Sequence, residues 1–102
     1  MGSRSVLRKV IDYKTRFRRA GGIGFLREEV WVDSEEKVVR YNLALIVPHV
    51  SSIDNGRILG FDNAHGNHER HYLGEVRTVQ FKSYEATANR FYREAESIRR
   101  KL

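Results

Sequence analysis

The chain has no cysteine, one proline and no long apolar run. Without cysteine there can be no disulfide, thiolate zinc site or cysteine nucleophile, which fits a reducing compartment and leaves histidine and carboxylates as the side chains able to hold a metal ion. A membrane-spanning helix needs ~20 apolar residues, which the chain never approaches, and Met1-Gly2-Ser3-Arg4-Ser5-Val6 lacks the apolar stretch of a secretory signal. A cytoplasmic location with no membrane partner is expected. Val6 stands where a myristoylation signal requires serine or threonine. None of the serines lies in a Gly-x-Ser-x-Gly elbow, which argues against a serine triad. Gly21-Gly22-Ile23-Gly24 lacks the Gly-Lys-Ser/Thr ending of a phosphate-binding loop and precedes a strand pattern rather than a helix.

With 102 residues, 40% of them hydrophobic, the chain is long enough for one domain around one core. The net charge of +6 is placed unevenly. Arg4, Arg8, Lys9, Lys14, Arg16, Arg18 and Arg19 face a single acid, Asp12, within the first twenty residues, while bases and acids balance over the remainder. A concentrated cationic surface attracts nucleic acid, and it attracts acidic protein partners by the same field.

Hydrophobic periodicity predicts an α+β fold: a single antiparallel sheet of about five strands in a meander, over residues 5–81, with a C-terminal amphipathic helix over 83–101 packed on one face. Leu7, Ile11, Tyr13 and Phe17 alternate with Arg8, Asp12, Lys14 and Arg16, so the first strand has one basic face. Three glycines between Gly21 and Gly24 supply the reversal. The second strand, Phe25 to Val32, sets Leu26, Glu28, Val30 and Val32 on one side and Phe25, Arg27, Glu29 and Trp31 on the other. Val38 to Val47 is apolar on both faces near its middle and belongs at the centre of the sheet, with Pro48 ending its ladder. Asn55-Gly56 predicts a two-residue turn into a strand from Arg57 to Ala64, which carries the following polar segment out from the sheet. Val76 to Phe81 reads as one more short strand. Tyr84, Ala88, Phe91, Ala95, Ile98 and Leu102 form one helical stripe, with Ser83 as its N-cap.

The chemistry concentrates between Phe61 and Tyr72, which hold three of the four histidines together with Asp62, Asn63, Glu69 and Arg70. Histidine titrates nearest neutrality, so this density points to proton transfer, metal binding or phosphate contact. His65, His68 and His71 are spaced three apart, which spreads them over a wide arc on a helix and turns His68 away on a strand, so neither regular element converges them on a metal; only an irregular loop after Gly66 could, with Asp62 or Glu69 completing the site. That leaves acid/base chemistry on RNA, where a base takes the 2′-hydroxyl proton, a cation offsets charge on the phosphate and an acid protonates the leaving oxygen. The segment supplies a histidine or Glu69 as base, Arg70 as phosphate clamp and a second histidine as acid, with Tyr72 and Arg77 nearby to stack or bind phosphate. The same residues also read as an exposed polar hairpin end in which Asp62 and Asn63 cap a turn. A binding module without turnover, carried by Arg8, Lys14, Arg16 and Arg18, is the alternative function.

Arg57-Ile58-Leu59-Gly60-Phe61-Asp62-Asn63-Ala64-His65-Gly66, followed by His68-Glu69-Arg70-His71, resembles the TumE family of toxin components from prokaryotic type II toxin-antitoxin pairs. The order of features across nearly the whole chain is also similar: basic first strand, acidic second strand with tryptophan, Tyr-x-Leu strand, polar segment, terminal helix with phenylalanine. The resemblance implies a toxin that cleaves or blocks RNA on the ribosome until a helix-turn-helix antitoxin masks it. The family's functional residues fall on Asp62, Asn63, His65, Gly66, Arg70 and His71. Here the stretch before the arginine is only Asn67-His68-Glu69, shorter than is common in the family, so no general role for His68 is implied. The expected activity is therefore a metal-independent endoribonuclease with no cofactor, and its partners are RNA, the antitoxin and, in a homodimer, a second copy.

Overall fold

The computed structural model describes residues 6–102, so Arg4 and the expected sheet start at Ser5 lie outside the described residues. Strands β1 (Arg8–Arg19), β2 (Gly22–Val32), β3 (Val38–Ile46), β4 (Arg57–Asp62), β5 (Glu69–Tyr72) and β6 (Glu75–Thr78) are followed by one helix, α1 (Tyr84–Arg99). The strands form one antiparallel sheet in sequence order, the expected meander with the helix on one face. β3 lies inside the sheet as its two-sided apolar pattern requires.

The expected five strands become six. Glu69–Tyr72 pairs with β4 and, across Leu73-Gly74, with β6, so the histidine segment turns back into the sheet at Glu69 and places His71 in a strand, while His65 and His68 stay in the connection. Leu73 and Gly74 have φ of 50° and 87°, the left-handed pair that a two-residue hairpin needs. The β3–β4 connection also differs from the expected two-residue turn. It runs through Ile53–Gly56, where Asp54, Asn55 and Gly56 all have positive φ, and closes with the Val47 amide donating to the Gly56 carbonyl at 2.8 Å. Asn55-Gly56 therefore ends a longer loop.

Period-two alternation divides the sheet into two faces. Leu26, Val30, Tyr41, Leu43, Leu45, Leu59 and Phe61 form the buried face, covered by Phe91 and Ala95 of the helix. Phe91 has no solvent exposure and meets Phe61 edge to face at 6.3 Å. Ser83 caps the helix as expected, its Oγ accepting from the Ala86 amide at 3.1 Å. Glu28 ties the helix to β2 by accepting from the hydroxyls of Tyr84 and Tyr92. Burial and this carboxylate push both phenols well above the usual range.

Among the described residues, the other face carries no helix. One cross-strand row runs Asp12, Glu29, Asn42, Asp62, Glu69, and the next runs Lys14, Arg27, Ala44, Gly60, His71. Register alone thus assembles a polar surface from five strands.

Candidate functional site

On this helix-free face, Glu69 and His71 stand two residues apart on β5 and project to the same side. Asp62 lies directly across from Glu69 on β4. His71 Nε2 is 3.1 Å from Asp62 Oδ2 and 3.6 Å from Glu69 Oε1, and its Nδ1 is 3.9 Å from Asp54 Oδ2. His65, with its ring 80% exposed, reaches over the cluster, its Nδ1 3.8 Å from Glu69 Oε1.

Arg57 completes the arrangement. Its Nε donates to Asp54 at 2.7 Å and its NH1 to Asp62 at 2.8 Å. These carboxylates outweigh the cost of burial and raise its pKa further. The guanidinium reaches Asp62 by crossing Gly60, where a Cβ would come within 2.6 Å of Arg57 Cδ. Gly60 is thus the bare backbone over which the side chain lies.

A groove of about 480 Å³ opens beside the cluster, with Glu29, Asn42 and Asp62 in its floor and Trp31, Arg40 and His65 at its sides. The Arg40 guanidinium and the Lys9 ammonium lie over the Trp31 ring at 5.2 and 5.0 Å. Arg27, Lys9 and Asn42 all donate to Glu29. The Arg27 bond, above all, holds the Glu29 carboxyl far below the usual range, against the opposing effect of burial. A depressed folded-state pKa stabilises the fold above the unfolded value of ~4.3, and that stability is lost as pH falls below it. Glu29→Gln should therefore cost about 2 kcal/mol at pH 7. In urea unfolding the gap from wild type should narrow toward pH 2, and an unchanged gap would refute the assignment.

The sequence-predicted residues divide between the two faces. Asp62, His65, Glu69 and His71 come together. Arg70 does not join them: it projects to the helix side, where Nε and NH2 donate to Glu94 at 2.9 and 2.7 Å and the guanidinium lies over Tyr72. There Arg70 and Arg90 pull the Glu94 carboxyl down against the effect of its burial. Tyr72 and Arg77 share that side, Arg77 donating to Glu75. Arg57, not Arg70, is the cation beside His71. Asn63 acts on the backbone: its Oδ1 accepts from the Tyr41 amide at 3.0 Å and its Nδ2 donates to the Val39 carbonyl at 2.9 Å, extending the β3–β4 ladder. His68 leaves the group to stack on Phe81 at 3.9 Å and bond the Tyr41 hydroxyl through Nδ1 at 2.9 Å. Burial, with the charge of Asp62, pushes the Tyr41 phenol up to about 12. Lys14, Arg16 and Arg18 occupy the helix-free face, Lys14 over the Phe25 ring at 4.5 Å, whereas Arg8 pairs with Glu36 at the start of β1.

Sequence reasoning missed Arg57, Asp54 and the Trp31–Arg40 wall. One signal was present: Arg57 and Asp62 flank a strand glycine, the residue that permits a side chain to lie on the sheet. Among the described residues, no helix is long and apolar enough to cross a membrane. The chain matches no family model, no curated protein and no solved structure.

Proposed function

We propose that the helix-free face binds single-stranded RNA and cleaves it at the His65–Glu69 end of the groove. The observation that carries this reading is the convergence of His65, Glu69, His71, Asp62 and Arg57 on the face that also presents Lys14, Arg16 and Arg18. At ~4.8 Å per strand spacing, β1 lies roughly 19 Å from β5, a span of several nucleotides of extended chain. His65 is exposed enough to touch a 2′-hydroxyl and exchange its proton, Glu69, 3.8 Å away, orients that ring by its charge rather than by a hydrogen bond, and Arg40 beside Trp31 meets the phosphate and a base. His71 is 8% exposed and acts through Glu69, as a positioning residue. The resemblance in the Asp62–His71 segment supports reading this activity as that of the toxin half of a toxin-antitoxin pair, silenced by a helix-turn-helix partner.

The full chain should cut labelled messenger RNA, with or without ribosomes, in the presence of a chelator. His65→Ala should slow cleavage about 100-fold or more, within the usual contribution of a positioned proton-transfer group. Replacing Lys14, Arg16 and Arg18 together by serine should leave slow cleavage but reduce the salt slope of binding by about 2. Salt-sensitive binding with no turnover under any condition would sink the nuclease. It would favour the non-catalytic binding module instead, a reading supported by the carboxylate partners that already hold Arg57.

A further inference from the structure

The space between Asp62, Glu69 and His71 holds a buried imidazole nitrogen without a hydrogen-bond partner. His71 is more than nine-tenths buried, and its Nε2 makes no hydrogen bond among the described residues. Asp62 Oδ2 is close, at 3.1 Å, but off the direction a hydrogen bond requires. With the proton on Nδ1, toward Asp54, the Nε2 lone pair faces two carboxylate oxygens. Nε2 therefore shares this space with Glu69 Oε1 and with Asp62 Oδ2, which already accepts from Arg57 NH1, and a second positive charge would meet the unpartnered Nε2 together with both carboxylates.

The spacing of the donor atoms is compatible with a small divalent cation, and the ligand types favour zinc. Zinc held at about 2.0–2.2 Å by nitrogen and oxygen in a tetrahedron sets its ligand atoms about 3.3–3.6 Å apart. His71 Nε2 stands 3.1 and 3.6 Å from its two carboxylate neighbours, and the three donor atoms all lie within 4.8 Å of one another. Charge agrees with distance. Asp54, Asp62 and Glu69 bring three negative charges and Arg57 one positive, so the cluster with neutral His71 carries the −2 that a divalent ion neutralises. Imidazole with carboxylates suits zinc, whereas magnesium prefers an all-oxygen octahedron. His65, exposed beside the cluster with its Nδ1 3.8 Å from Glu69 Oε1, is the nearest further histidine.

We infer that Asp62, Glu69 and His71 form a binding site for a zinc-class divalent cation, and that its occupancy switches the groove off. The second part rests on the proposed cleavage reaction. A metal ligated by Glu69 withdraws the carboxylate that orients His65, and a fourth bond from His65 would remove that ring from the substrate altogether.

Zinc alone, added to the full chain and followed by competition with a chromophoric chelator, tests the site without any activity measurement. One equivalent should bind, and cobalt in its place should give the absorption of a tetrahedral ion. Glu69→Gln and His71→Ala should each weaken binding by more than about tenfold. His49→Gln, which alters a histidine packed against the Gly21-Gly22 turn, should not. Circular dichroism checks that each variant is folded; if His71→Ala is not, Asp62→Asn takes its place. Absence of stoichiometric binding, or binding that survives both Glu69→Gln and the His71 or Asp62 change, overturns the site. RNA cleavage in chelator that falls on adding one equivalent of zinc supports the switch, whereas cleavage that requires zinc overturns it. An absence of cleavage under every condition removes the switch together with the nuclease reading, and the binding result still judges the site.

Discussion

Arg57→Gln should destabilise the protein by about 3 kcal/mol, near the lower end of the cost of breaking a buried ion pair. The loss arises because Arg57, alone among the described cations, is bonded to both Asp54 and Asp62, at 2.7 and 2.8 Å, and its side chain is only 16% exposed. Removing it leaves three carboxylates around a buried imidazole. Glutamine keeps an amide NH2 and two of the three methylenes, so much of the loss is charge and reach rather than packing. Urea unfolding at pH 7 measures it, and a change below about 1 kcal/mol would show that the pair contributes little. The same substitution makes the cluster more negative, from −2 to −3, and should tighten zinc binding by about tenfold or more, since a close cation has been removed from the field of the metal. Stability and metal affinity should therefore move in opposite directions, an outcome that simple local misfolding would not produce.

Phe91→Ala should cost about 4 kcal/mol, the usual range for emptying an aromatic site in a core. Phe91 is fully buried and seals the helix onto Phe61 of β4, with Tyr92 packed edge to face against it at 5.1 Å. Glu28 with its two tyrosines holds the neighbouring part of the helix, so the protein should remain folded at low temperature, with a much lower denaturant midpoint. Zinc and RNA binding to the folded fraction should be unchanged, because Phe91 lies on the opposite side of the sheet from His71. Loss of binding in a folded Phe91→Ala protein would show that the two faces are not independent.

The architecture was legible where hydrophobic and polar residues alternate on a recognisable period. β1, β2, β3 and the helix were read with errors of a few residues at their ends because each has one apolar face or stripe. β5 was not, for a physical reason. Glu69-Arg70-His71-Tyr72 alternates two polar residues with an arginine and a tyrosine, so neither face carries the apolar signal by which strands are found. Its pairing depends on β4 already being in place and on a left-handed turn at Leu73, a residue that seldom adopts one.

Composition and order by themselves determined that the chain would be an antiparallel meander under one amphipathic helix, with a basic first strand and most of its histidines gathered between Asp62 and His71. These follow from local periodicity and charge, which do not need a partner. Which members of that segment act together was decided only in three dimensions. Adjacent residues on a strand point to opposite faces, so Arg70 and His71, neighbours in sequence, are separated by the sheet, while Arg57, Asp62, Glu69 and His71 are joined across two strands by register. Register is a property of the whole sheet, and no single segment contains it.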